Sequence, residues 1–255
     1  MTRGTRNVRM ILLGCLLVLG ILAAQGSASA AGTYVQPVWF TWEKATLDVL
    51  IVPPEHGQIY NSHGVLGGST GGVNELNPYQ NSYLRATEQS AADWKRAITT
   101  FGASWLSSGL TINNYVVGRD TIPQSALTNP EIIVTSDQNK GPILGVSISS
   151  RPCIVDNSKF FVTSFTYEDM YNISAHEYGH CLGLDHTFGQ PDDSTITHDV
   201  IYATYNDNPG VIGNHKHCIS NLNVKGLERV FGGLFGQPSG GSASMASTSY
   251  QRISC

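Results

Sequence analysis

The stretch HEYGHCLGLDH, residues 176 to 186, places three histidines, a glutamate and two glycines within eleven positions of a chain in which only 13% of residues are charged. On a helix, positions i and i+4 lie on one face, so His176 and His180 would aim their rings at one point. Glu177 stands about 100° around the helix from His176, close enough to reach the edge of a bound metal without taking a coordination place. His186 follows ten residues after His176 and cannot join the pair on a straight helix. Gly183 lies where the chain must bend, and glycine tolerates the left-handed conformation common just past a helix C-terminus. Three neutral imidazoles would bind Zn2+ and leave its fourth tetrahedral position open, which marks a catalytic rather than a structural zinc. Such an ion brings the pKa of water toward ~7, and Glu177 is placed to take that proton as the water attacks a carbonyl carbon. Returning the proton to a leaving amine completes peptide-bond hydrolysis, the reaction that this set of groups suits.

Hydrophobic spacing identifies the elements that must hold these groups. The run TLDVLIV, Thr46 to Val52, stops at Pro53-Pro54 and reads as a strand. Further strand-like runs span Ile112 to Val117, Glu131 to Thr135, Leu144 to Ser149 and Phe160 to Phe165. The Gly- and Asn-rich stretch from His56 to Asn81 reads as a long surface loop. Ala91, Trp94, Ile98, Phe101 and Trp105 recur at three and four residues, which puts an apolar stripe on a helix that starts near Leu84 or is capped by Ser90 and Asp93. Thr166-Tyr167-Glu168-Asp169 reads as a capping box opening the helix that carries His176 and His180. From Asp185 to His217 only loop is expected. A last helix is expected from about Leu222 to Leu234, capped by Ser220, with Leu227, Val230, Phe231 and Leu234 on its apolar face. The fold class that follows is α+β: one mixed β-sheet, a first helix, a site helix and a C-terminal helix.

Residues 1–30 read as a secretory signal: Arg3, Arg6 and Arg9, an apolar run from Met10 to Ala24, then Ala28-Ser29-Ala30 for cleavage. The apolar run is shorter than the ~20 residues that span a bilayer, and no later run is long enough. Leu12-Leu13-Gly14-Cys15 also looks like a lipoprotein box, but Cys15 stands near the start of the apolar run and not at its end. The 15 lysines and arginines include the three in the leader, leaving 12 against 19 acidic residues in residues 31–255. That balance argues against nucleic acid or anionic lipid as the main partner. The expected organisation is a domain over residues 31–236, then a flexible Ser/Gly-rich tail over 237–255. Cys153, Cys181, Cys218 and Cys255 remain beyond the leader, an even number that suggests two disulfides in an exported chain. Pairing Cys153 with Cys181 and Cys218 with Cys255 joins sequence neighbours and ties down the tail, although three connectivities exist.

His176, Glu177, His180, Gly183 and His186 match HExxHxxGxxH at every fixed position, and in this the chain resembles the metzincin zinc endopeptidases. The resemblance implies His176, His180 and His186 as zinc ligands and Glu177 as general base. Beyond the motif, the order of elements looks like a matrixin-type catalytic domain, with the sheet and first helix above the cleft and the site and closing helices below. In that family an edge strand binds the extended substrate. Leu144 to Ser149 stands in its place, which makes Gly145, Val146 and Ser147 candidate substrate-binding residues. Metzincins also carry a methionine in a turn beneath the zinc; HDVIYATY, residues 198 to 205, is the candidate, with Ile201 in the methionine's place and Tyr202 after it. An apolar residue of similar volume keeps such a floor at a cost below ~1.5 kcal/mol. Tyr205 would then line the pocket for the residue after the scissile bond, and Ala203 stands where some relatives have a zinc-binding tyrosine.

Weaker candidates are His56, His63, His198, His215 and His217, for which surface residence is the default. Asp137 to Gly141 and Asp192-Asp193 could help bind Ca2+, but neither is a complete calcium motif. Asn172-Ile173-Ser174 is a glycosylation sequon whose place on the site helix argues against use. The expectation is therefore a secreted, monomeric zinc endopeptidase acting on protein or peptide substrates. The competing reading is a zinc-bearing surface or binding protein in which catalysis has lapsed; the presence of Glu177 speaks against it and Ile201 for it. An exopeptidase of the same chemistry would need the loop from His56 to Asn81 to close one end of the cleft.

Overall fold

The computed structural model describes residues 32–53, 78–135, 146–148, 152–156, 166–189, 196, 198–202 and 217–253. The leader, residues 54–77, Phe160 to Phe165, both acidic calcium candidates and Cys255 lie outside these residues.

A five-stranded mixed sheet is built from β2 (Thr46–Ile51), β3 (Thr111–Val116), β4 (Ile132–Thr135), β5 (Val146–Ile148) and β6 (Cys153–Asp156), in the order β3-β2-β4-β6-β5. The pairs β2–β3, β2–β4 and β4–β6 are parallel, and β5 runs antiparallel along β6 at one edge. Every residue of β4 is buried, as expected of a central strand covered on both faces. Four of these strands coincide with expected runs, β5 over the shorter span. Four-residue β6 was not foreseen.

Helix α1 runs from Pro78 to Phe101, longer than its apolar stripe suggested. Residues 78–81, assigned to the loop, form its first turn, where proline is tolerated because its missing N–H has no intrahelical partner there. Ser90 is therefore interior and no cap: its Oγ donates to the Thr87 carbonyl at 2.8 Å. Trp105, assigned to the same stripe, falls on the short helix α2 (Ser104–Gly109). Another short helix, α3 (Gln124–Thr128), precedes β4.

Helix α4 (Tyr167–Cys181) carries the expected capping box: Thr166 N–H donates to Asp169 Oδ2 at 2.8 Å and Asp169 N–H to Thr166 Oγ1 at 3.2 Å. It is buried from Asp169 to Cys181, so it forms the middle of the structure and not a surface layer. The pair α1 and α4 is joined by Tyr171 OH to Asp93 (2.8 Å), Trp94 Nε1 to the Ala175 carbonyl (2.9 Å) and Thr87 to Ser174 (3.3 Å between hydroxyls). Apolar residues of β2, β4, β6, α1, α4 and α5 (Asn221–Phe231) share one core. Ser220 caps α5 as expected, but a 3-10 turn over Gly232–Phe235 ends it early and leaves Leu234 exposed, not on its apolar face.

The segment read as a flexible tail holds a strand. β7 (Ser242–Ala246) pairs antiparallel with β1 (Thr33–Pro37) as a separate two-stranded sheet, so the expectation of a single sheet is also corrected. Ala243 and Met245 face inward on β7, and Met245 joins a small second core with Tyr34, Ile196 and Leu222. The alternation of small and apolar residues, invisible as hydrophobicity, is enough once β1 supplies partners.

Candidate metal centre

The site helix fastens its histidines by two local devices. Gly179 lies where α4 meets the segment 199–201, and a Cβ there would strike Ile201 Cδ1 and lie 2.6 Å from Trp94. Gly183, at φ +105°, ends the helix in the left-handed region as expected. Its carbonyl accepts the Trp39 N–H at 2.8 Å, and the following residues run antiparallel beside β1, through bridges Val38–Leu184 and Val35–Phe188. This reversal, with Asp185 Oδ1 accepting the His186 N–H at 2.8 Å, returns His186 to the two helical histidines.

The three rings converge. His180 Nε2 lies 3.0 Å and His186 Nε2 3.3 Å from His176 Nε2, and one ligand atom from each ring lies within 4.8 Å of the others. His176 Nδ1 is 2.7 Å from the Val200 carbonyl oxygen and His180 Nδ1 is 2.8 Å from that of Leu184. A carbonyl can only accept, so both Nδ1 atoms carry the proton and both Nε2 atoms present bare lone pairs. Two lone pairs facing each other at hydrogen-bond distance repel unless a cation lies between them. Protonation is a poor remedy. Burial first, then the neighbouring His180 and His186, hold His176 well below the usual imidazole pKa; burial brings His180 to about 4 and lowers His186 as well. A metal ion fits better, since donors about 2.0–2.1 Å from a tetrahedral ion stand roughly 3.3 Å apart. Imidazole suits zinc, copper, iron and nickel alike, so the donor set admits a transition metal without naming it.

Glu177 is buried beside the triad, at 7% exposure. Ile201 is fully buried under the helix, and Tyr202 is half-buried against the second core. Val146 and Ser147 lie in edge strand β5; Gly145, Ala203 and Tyr205 lie outside the described residues. The Cys153–Cys181 disulfide is present and ties the end of α4 to β6. Cys218 is also disulfide-bonded, and Cys255, the partner expected for it, lies outside the described residues. Asn172 is 2% exposed and its Oδ1 accepts the His217 N–H, which leaves no room for a glycan. Half-buried His198 and His217 pair their rings at 6.1 Å, and His217 adds to the electrostatic surroundings of His176; His56, His63 and His215 fall outside the described residues.

Two neighbours of the triad escaped sequence reasoning. Trp39, 45% exposed, sets its ring edge-on to His180 at 5.8 Å between centroids. Asp199, fully buried, sits one residue before the carbonyl that orients His176. The only signal for Asp199 was a lone acid entering the apolar run Val200-Ile201.

Among the described residues, no helix is long and apolar enough to cross a membrane. No protein-family model and no curated protein matches the chain. A solved structure to which it is similar is the GM1 bound form of the ECX AB5 holotoxin, at 10% sequence identity and a TM-score of 0.36 over 84% of each chain. A likeness of that degree carries no argument about fold or activity.

Proposed function

We propose that the chain is an exported zinc endopeptidase of metzincin type. The observation that carries this reading is the convergence of the Nε2 atoms of three imidazoles, two of which face a carbonyl with Nδ1 and so turn a bare Nε2 lone pair inward, beside a buried glutamate. The antiparallel edge strand β5, the buried site helix and the disulfide to Cys181 support it.

When bound by His176, His180 and His186, zinc supplies Lewis acidity, which acidifies water and polarises a carbonyl. Glu177 takes a proton from the attacking water and delivers it to the leaving amine nitrogen, a general base turned general acid. The backbone of Val146 and Ser147 holds an extended peptide by strand addition, with Gly145 and Tyr205 as further substrate contacts. Ile201 fills the floor beneath the ligands in place of methionine.

The test is cleavage of casein by the purified chain lacking residues 1–30, before chelation, after chelation and after zinc is restored. Activity that disappears and returns with zinc supports the proposal. A folded chain holding one zinc that cuts neither casein nor a mixed peptide library would overturn it in favour of a lapsed site.

A further inference from the structure

Asp199 is fully buried and accepts five hydrogen bonds. Its Oδ1 receives the Ile201 N–H (3.0 Å), Asn223 Nδ2 (2.9 Å) and, at 3.5 Å, the Thr187 hydroxyl; its Oδ2 receives the hydroxyls of Ser220 (2.6 Å) and Tyr250 (2.7 Å). All five donors are neutral. A carboxylate out of water with no cation among its described hydrogen-bond partners is costly, and burial raises its pKa despite the bonds from Ser220, Asn223, Ile201 and Tyr250 that oppose the rise. A cation nearby would favour the charged form, and none of the five described donors supplies one.

The place of that cation follows from one peptide group. The Ile201 N–H that donates to Asp199 and the Val200 C=O that accepts from His176 Nδ1 belong to the same amide. A negative charge at the N–H end polarises the amide and makes the carbonyl oxygen a stronger acceptor. A stronger acceptor at Nδ1 makes Nε2 a better donor to a metal, as when a carboxylate contacts a zinc-bound histidine directly.

We propose that Asp199 is a positioning residue of the metal centre, acting on His176 through the Val200–Ile201 peptide group and supplying a buried negative charge for the bound cation. The proposal rests on reading the triad as a metal centre. It assigns the five donors a purpose: they hold the carboxylate's place and orientation, and Tyr250 brings the C-terminal segment into that hold.

The experiment measures zinc affinity of the chain lacking residues 1–30 by competition with a chromophoric chelator, in the wild type, Asp199→Asn, Ser220→Ala and Tyr250→Phe. Asp199→Asn is expected to weaken zinc binding about 10- to 100-fold, the range seen when outer partners of metal ligands are lost. Ser220→Ala and Tyr250→Phe remove bonds to the same carboxylate but keep its charge and its link to Ile201, so they lower the melting temperature and leave zinc affinity within about twofold. A wild-type zinc affinity in Asp199→Asn, or an equal loss in all three variants, overturns the proposal. Should Asp199→Asn not fold, NMR of the wild type decides: zinc should move the Ile201 amide proton and the His176 Nδ1 proton downfield together. An Ile201 amide proton unmoved by zinc overturns the relay. If the wild type binds no zinc, or His180→Ala binds it equally well, the metal reading itself has failed.

Discussion

The side chain of Ile201 occupies the space that a Cβ on Gly179 would need, so the site helix and the segment beneath it touch at a residue with no side chain. Gly179→Ala should therefore destabilise the protein by about 1–3 kcal/mol, the cost of overpacking, although alanine favours a helix by ~1 kcal/mol over glycine. Combining it with Ile201→Ala should recover part of the loss, a coupling that chemical denaturation of the two single variants and the double variant would show. Additive losses would mean that the contact is not tight. Ile201→Met alone should cost less than ~1.5 kcal/mol and keep one zinc per chain.

Glu177→Ala should retain zinc and the fold while losing casein hydrolysis by at least the 10²- to 10⁴-fold typical of a general base. Metal analysis beside the rate separates the two effects. A variant that still cut casein well would remove Glu177 from that role.

The Cys153–Cys181 disulfide closes a separation of 28 residues between β6 and the last residue of α4. Cys181→Ser should lower stability by about 2–4 kcal/mol and leave the zinc-loaded rate within a few-fold of wild type at temperatures where the variant is folded. Urea midpoints and initial rates measured side by side decide it; a rate that fell far more than stability would mean that the bond shapes the site directly.

Acid should weaken the metal-free protein through the same histidines. Their folded-state pKa values lie below the ordinary 6.5, at about 4 for His180, so between these values the unfolded chain binds more protons than the folded one. Stability from this source is complete above pH 6.5 and is lost as pH falls toward 4. Urea midpoints of the chelated protein at pH 7.5, 6 and 5 should fall in that order, and those of the zinc-loaded protein more steeply, because protons displace the metal. A midpoint independent of pH over this range would contradict the assignment of neutral, buried rings.

Local signals were legible in the sequence, and signals that depend on distant partners were not. Thr166 announces a helix start as a capping box with Asp169 and Ser220 another as a cap; both are formed, and Asn223 completes a box at Ser220 beyond the expected cap. Gly183 could be assigned its turn because His186 had to come back to His176, and its φ is positive. In contrast, TYVQP and SASMA carry little hydrophobicity, and their pairing depends on a partner at the other end of the chain. The sequence assigns Asp199 no role; only the donors gathered from Thr187, Ser220, Asn223 and Tyr250 reveal it as a buried, bonded acid. The spacing of the three histidines told which residues converge, while the carbonyls that set their tautomers belong to residues with no side-chain signature.

The pairing of β1 with β7 has a consequence for the order of assembly. Thr33 faces Ala246, so the first described strand meets its partner only when the residues between them are present. Contacts so distant in sequence are slow to close. β1 also bridges to the segment from Leu184 to Phe188, so β7 is one strand removed from the segment that carries His186. A chain cut before Ser242 would leave that edge of β1 open, an invitation to pair with a neighbouring molecule in place of its own C-terminal end.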